Sequence, residues 1–273
     1  MFRGFYTAAS GMISQQRRQE MITNNIANAN TPGYKADQIS LRSFPELLIH
    51  EMSSHRLPVQ ESVNRRTTNP IGALNTGVYT QELTPNFNQG MLRETGMYTD
   101  FAIIDENYPD EAGSVFFVVQ NEEGAIRYTR NGNFQVDGEG YLTTNNGLYV
   151  LDNAGNRIFT DGLDFLVTPE GNIEIGGALI PLGLTYVANT NELTKEGTDL
   201  FNPEPGNIEG VDPADAGALF SIKQGFLEGS NVDSAQSMVE MIQAYRNFEM
   251  NQRILKEFDN TMGKTVNEVG RLR

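Results

Sequence analysis

From residue 231 to residue 271 the chain contains no proline, and Gly263 is the only glycine before position 270. Along that stretch Met238, Met241, Tyr245, Phe248, Gln252, Leu255, Asp259, Met262, Val266 and Val269 recur at alternating spacings of three and four. That period draws one stripe along a helix, and a stripe this long is the seam of a coiled coil more readily than the face of a globular helix. At 1.5 Å per residue the helix would be roughly 60 Å long. Ser230, Asn231 and Asp233 are candidates to cap its start.

The other end of the chain mirrors this one. Phe5, Ala8, Met12, Gln15, Gln19, Ile22 and Ile26 repeat the same spacing and predict a helix over residues 3–28. Its stop is Asn28-Ala-Asn-Thr-Pro-Gly-Tyr34, where Pro32 pushes Thr31 out of helical geometry and Gly33 supplies a positive φ. Glutamines interrupt this seam, so it is weak alone and gains most when several copies bury it together. The competing reading is an ordinary antiparallel helix pair folded onto the middle of the chain.

The middle has a different texture. Short β-branched or aromatic runs alternate with turn residues: Val115-Phe-Phe-Val-Val119 before Asn121-Glu-Glu-Gly124, and Ala125-Ile-Arg-Tyr-Thr-Arg130 before Asn131-Gly132. Asn133-Phe-Gln-Val136 precedes Asp137-Gly-Glu-Gly140, Tyr141-Leu-Thr-Thr144 precedes Asn145-Asn-Gly147, and Leu148-Tyr-Val-Leu151 precedes Asp152-Asn-Ala-Gly155. Asn-Gly between such runs is a strong hairpin signal, so an antiparallel meander is expected, continued by residues 165–167, 173–175 and 182–187. Ser43-Phe-Pro-Glu46 reads as a capping box opening a short helix through Leu47, Leu48, Ile49 and Met52. A polar, proline-punctuated arm follows Leu57, and residues 202–217 read as a return linker.

Bulk properties narrow the function. A net charge of −15 opposes binding to nucleic acid or to anionic membrane surfaces. With no cysteine, disulfides, thiolate catalysis and cysteine zinc sites are excluded together. No apolar run approaches the ~20 residues of a membrane span, and the first residues lack the apolar core of a secretory signal. The hydrophobic fraction of 38% and mean hydropathy of −0.41 fit a chain with much wet surface or with surface buried against partners.

Catalytic patterns do not assemble. His50 and His55 are five apart, so on a helix their rings diverge by roughly 140° instead of stacking as in a zinc protease. Gly263-Lys-Thr265 resembles the end of a phosphate loop, but Phe258 stands where its first glycine is required. Acidic residues such as Glu122, Glu123, Asp161 and Asp164 sit in turn-like contexts, and Asp152-Asn-Ala-Gly155 lacks the other ligands of a calcium loop. No catalytic residue, metal or cofactor is expected.

The ends carry more than periodicity. Ala8-Ala-Ser-Gly-Met12 followed by Asn24-Asn-Ile-Ala-Asn-Ala-Asn-Thr-Pro-Gly-Tyr-Lys35 closely resembles the N-terminal signature of the bacterial flagellar rod and hook proteins. Gly229-Ser-Asn-Val-Asp233 with Met238-Val-Glu-Met-Ile242 and Tyr245-Arg246 resembles the matching C-terminal signature, and Tyr128-Thr-Arg-Asn-Gly-Asn-Phe134 resembles the hairpin those proteins share. Length and the single β body resemble the distal-rod type, and residues 40–57 look like the version found in Gram-positive, Bacillus-type relatives.

The resemblance implies an α+β chain: an antiparallel, mainly-β central domain flanked by N- and C-terminal helices that pair as a coiled-coil-like layer. The expected divisions are 1–30 for the N-terminal helix, 31–90 for turn, short helix and arm, 91–205 for the β-rich domain, 206–230 for the return linker and 231–273 for the C-terminal helix. It implies a structural subunit of the flagellar basal-body rod, exported without a cleaved signal peptide. Such a subunit self-assembles into a hollow axial tube that transmits torque and lets later subunits through. Partners would be copies of itself, other rod and hook subunits and the flagellar export apparatus, with no nucleic acid and no lipid insertion. Phe5, Met12, Ile22, Ile26, Met238, Val239, Ile242, Tyr245, Leu255 and Met262 are the expected assembly interface. Asn28, Thr31, Pro32, Gly33 and Tyr34 form the motif turn that sends the chain outward. The competing classes are a carbohydrate-binding or hydrolytic β-domain protein and a secreted adhesin with a helical stalk.

Overall fold

The computed structural model describes the backbone of residues 2–56, 64–121, 123–162, 164–203 and 210–269. Helix α1 covers Phe2–Ala27. Four strands follow: β1 (Asp37–Ser43), β2 (Leu47–Arg56), β3 (Asn64–Leu74) and β4 (Val78–Pro85). Next come β5 (Leu92–Glu94), β6 (Phe101–Asn107), β7 (Ser114–Gln120), β8 (Ile126–Thr129), β9 (Phe134–Val136), β10 (Leu142–Thr144) and β11 (Tyr149–Val150). Then β12 (Leu166–Val167), β13 (Asn172–Ile175), β14 (Ala178–Pro181), β15 (Leu184–Val187), β16 (Thr194–Glu196) and β17 (Leu200–Asn202) lead to a one-turn helix α2 (Pro213–Ala216). After β18 (Leu219–Gln224) and β19 (Phe226–Glu228), helix α3 runs over Ser234–Lys264 and loosens into a wider turn at Thr265–Val269. The chain is α+β, mostly β with one helix near each end.

Two compact units share these elements. The first gathers Met1–Thr23, Ile39–Leu83 and Met238–Arg273; the second gathers Asn24–Gln38 and Thr84–Ser237. In the first, the expected short helix is replaced by a hairpin: β2 pairs with β3 from Leu47↔Leu74 to Arg56↔Asn64. Leu47, Leu48 and Ile49 are consecutive, which suits an extended strand, and Pro45 keeps Phe44 out of helical geometry. The polar arm expected after Leu57 becomes strands β3 and β4, except for residues 57–63, which lie outside the described part.

In the second unit β7 is the hub. It pairs with β8 on one edge and with β15 and β11 on the other, inside an eight-stranded sheet ordered β16-β17-β8-β7-β11-β10-β9 with β15 joining β7. Strand alternation sends Val115, Phe117 and Val119 into one core with Phe101, Phe134, Leu142 and Ile173, and Phe116 into a second with Tyr128, Val187, Leu193 and Phe201. The expected hairpin turns at Asn121–Gly124, Asp137–Gly140 and Asn145–Gly147 form, joining β7 to β8, β9 to β10 and β10 to β11. The one expected at Asn131-Gly132 does not join its flanking strands: β8 pairs with β7 and β17, and β9 with β10. There Arg130 and Asn131 are buried and carry polar contacts described below. Of the expected return linker, residues 204–209 lie outside the described part, and 213–216 form α2.

Candidate functional site: the chain joint and the helical seam

In the second unit the three recognised motifs converge on one joint. The turn after α1 brings Gly33 to φ 69°, and its amide donates to the Glu228 carbonyl at 2.8 Å. A Cβ on Gly33 would lie 2.4 Å from the Asn131 backbone nitrogen, so only glycine fits both the conformation and the space. Asn25 accepts from the Tyr34 hydroxyl at 3.0 Å and from the Asp37 amide at 3.0 Å, and its own amide donates to the Asp37 carbonyl at 2.9 Å. Asn231 does the same for the returning chain: it accepts from the Ala36 amide at 2.7 Å and donates to the carbonyls of Asn86 and Asn88. Asp233, not Ser230 or Asn231, caps α3 by accepting from the amides of Ala235 and Gln236.

Beneath these bonds lie four charges. Lys35 Nζ pairs with Glu228 Oε1 at 2.6 Å, and Arg130 Nη1 reaches Glu228 Oε2 at 3.3 Å. Arg130 Nη2 also binds Asp105 at 2.8 and 3.0 Å and Ser114 Oγ at 2.5 Å. Lys35 completes its donors on the carbonyls of Asn88 and Phe87, and the Gly90 amide adds a bond to Glu228 Oε1. Burial pulls the Lys35 ammonium below its ordinary pKa, with Glu228 opposing; burial likewise works against Arg130, but Glu228 and Asp105 hold its pKa above the usual guanidinium range. Tyr108 donates to Asp105, and burial raises the pKa of both the Tyr108 and the Tyr34 phenol. Lys195 caps the cluster, with its Nζ 2.9 Å from Asp37, 3.0 Å from the Lys35 carbonyl and 3.9 Å from the Tyr34 ring centre. A cleft of about 620 Å³ opens beside the joint, lined by Gln38, Asn88, Asp105, Tyr108 and Glu111 among others.

Among the motif residues, Asn28, Thr31 and Pro32 are half-buried and Gly33 and Tyr34 buried. Thr31 Oγ1 donates to Asn28 Oδ1 at 3.2 Å, tightening the turn. Lys35, Asp105, Arg130 and Glu228 escaped the sequence reading as a group. The available signal was a lysine closing one motif, an arginine inside the second and a glutamate just before the third.

The first unit holds a helical seam. α1 and α3 run antiparallel: Gly4 faces Phe258, Gly11 faces Asn251, and Arg18 pairs with Glu240 at 3.3 Å. A Cβ on Gly4 would come within 2.7 Å of Phe258 Cζ, so this small residue sets a close approach. On α3 the inward positions are Met241, Ala244, Phe248, Asn251, Leu255, Phe258 and Met262. They share alternate members with the expected stripe, but Ala244, Asn251 and Phe258 replace Tyr245, Gln252 and Asp259. Ala244 is small enough for full burial, whereas the polar tips of the other three stay in water. On another side of α1, Thr7 Oγ1 donates to the Thr76 carbonyl, Ser14 Oγ donates to the Val78 carbonyl, and Ser10 Oγ accepts from the Val78 amide.

The expected interface residues therefore fall into two groups. Ile22 is buried, and Phe5, Met12, Ile26, Leu255 and Met262 are half-buried. Met238, Val239, Ile242 and Tyr245 stand out, at 54%, 50%, 53% and 54% exposed. His50 lies exposed on β2, and among the described residues no group of three His, Cys, Asp or Glu side chains gathers as a metal site would require. No helix among them is long and apolar enough to cross a membrane.

Taken together these features define a scaffold class, a β body whose distinctive side chains hold the roots of two terminal helices. Three family models match in chain order: "Flagella basal body rod protein" over residues 5–35, "Flagellar hook protein FlgE/F/G D1 domain" over 112–179 and "Flagellar basal body rod FlgEFG protein C-terminal" over 223–268. The flagellar hook-basal body complex protein FlhO of Bacillus subtilis is 38% identical over the whole of both chains. The flagellar basal-body rod proteins FlgG of Agrobacterium fabrum and Borreliella burgdorferi are 34% and 31% identical, covering 94% and 96% of this chain and 95% and 97% of their own. The chain belongs to the flagellar basal-body rod and hook family.

Proposed function

We propose that the chain is a structural subunit of the flagellar basal-body rod, self-assembling into a hollow axial tube that transmits torque and lets later subunits through. Its partners are further copies and neighbouring rod and hook subunits, reached by way of the flagellar export apparatus. α1 and α3 pair as a coiled-coil-like element of the inner layer, and the chain performs no catalysis. The observation that carries this reading is the row Met238, Val239, Ile242 and Tyr245, left half exposed on α3 while the opposite side packs inward. Apolar side chains repeated along one helix face are an assembly surface, because solitary chains rarely leave such a row in water. Asp105, the carboxylate of the cleft nearest the joint, is engaged by Arg130 and Tyr108, which favours a structural role over acid catalysis. Neither a carbohydrate-binding nor an adhesin reading draws comparable support.

Replacing Met238, Val239, Ile242 and Tyr245 together by serine tests the proposal. The variant monomer is expected to keep its thermal transition, while cells carrying it lose swimming and show no rods in isolated basal bodies. Normal rods and motility would overturn the assignment of this face.

A further inference from the structure

The four charges of the joint come from widely separated stretches of chain. Lys35 and Glu228 are 193 residues apart, Arg130 and Glu228 are 98 apart, and Arg130 and Asp105 only 25. The side chains of Lys35, Arg130 and Glu228 are no more than 1% exposed. Two cations are balanced by two anions, and one of those anions, Glu228, bonds to both cations. Until Glu228 is in place, Asp105 is the only carboxylate on Arg130, and the hydrogen bonds of Lys35 Nζ go only to the carbonyls of Phe87 and Asn88. Burying an ammonium on two carbonyls is strongly disfavoured, so the core cannot seal over Lys35 without its carboxylate.

We propose that this cluster is a closing latch: the β unit stays open until Glu228 docks, and its folding therefore waits for the segment around residue 228. A chain delivered from its N-terminal end, as on a ribosome, holds Lys35 and Arg130 long before Glu228 arrives. Closure of the unit thus reports that Glu228 has arrived, and the same event draws in Gly33 through the Glu228 carbonyl and fixes the start of α3. A chain that stops short of Glu228 keeps its β unit unsealed.

Stopped-flow refolding and unfolding of the full-length protein, followed by tyrosine fluorescence because the chain has no tryptophan, test the latch. In Glu228→Gln the refolding rate should fall on the order of 100-fold, matching the loss in the folded-to-unfolded ratio, with the unfolding rate nearly unchanged. Adding Lys35→Met to Glu228→Gln removes the stranded ammonium and should restore most of the refolding rate. Arg127→Gln, which breaks the exposed pair with Glu196, should leave both rates within about twofold. Faster unfolding with unchanged refolding in Glu228→Gln would overturn the proposal, because Glu228 would then dock after closure. A double variant that refolds as slowly as Glu228→Gln, or fails to fold, would overturn it too. If Glu228→Gln alone does not fold and the double variant does, the latch stands.

Discussion

The two units bury polarity in opposite ways. In the β unit Lys35, Arg130 and Glu228 are sealed from water, and the pattern of bonds among them leaves one atom, Arg130 Nε, without a partner. In the helical unit Gln15 Oε1, Arg18 Nε and Gln19 Nε2 are buried without hydrogen-bond partners, while large apolar side chains on α3 remain in water. The β unit exposes single apolar side chains too, among them Met91, Leu166 and Leu179. In the helical unit the buried polar atoms and the exposed apolar row lie on one helix pair, where a neighbouring surface would relieve both.

That contrast can be broken most directly at its arginines. Arg130→Met should destabilise the β unit by about 3–5 kcal/mol, since it strands buried carboxylate charge. Arg18→Met should cost under about 1 kcal/mol, because its partner Glu240 is a third exposed. Equal midpoint shifts in urea unfolding would erase the distinction. Phenylalanines sharpen it further. Phe117→Ala, at a fully buried hub position, should cost about 3–5 kcal/mol, and Phe258→Ala on the half-buried seam about 1–2 kcal/mol.

Gly33→Ala addresses the joint itself. A positive φ and a backbone contact closer than van der Waals distance together predict a loss of about 2–3 kcal/mol in thermal denaturation. The smallest effect is set by alkali. Burial holds the Tyr34 phenol above its ordinary value of 10.0, so the folded chain keeps that proton after the unfolded chain has lost it. Stability from this group is complete below pH 10 and falls as pH rises further, by about 1 kcal/mol near pH 11. Tyr34→Phe should flatten that arm of a melting-temperature profile taken from pH 8 to 11, and an unchanged arm would assign the alkaline loss elsewhere.

What the amino-acid sequence disclosed follows the range of the forces involved. Thr31-Pro-Gly33 stops α1 by local sterics, and the turn was legible for that reason. Asp137–Gly140 and Asn145–Gly147 were legible because a turn is a four-residue event. Asn131-Gly132 carries the same letters yet does not close a hairpin, because Asn131 is drawn inward by Asp199 at 2.7 Å, a residue 68 positions away. Ser43 and Glu46 obeyed a local helix rule that lost to pairing between β2 and β3. On α3 the period was readable but its phase was not: Ala244 is buried and Tyr245 half exposed, a shift of one residue that the three-four spacing leaves open. Lys35 and Glu228 carried no signal beyond their places beside two of the motifs, because the bond between them spans 193 residues.

The neutrality of the buried cluster bears on the conditions the joint can withstand. Its four charges sum to zero, and three of the four are closed to solvent. Mobile ions screen exposed pairs over a distance of about 8–10 Å but cannot enter a sealed one. The grip between the roots of the two helices should therefore hold equally in dilute and concentrated salt, whereas contacts made through the charged surface of a −15 chain would strengthen or fade with the medium.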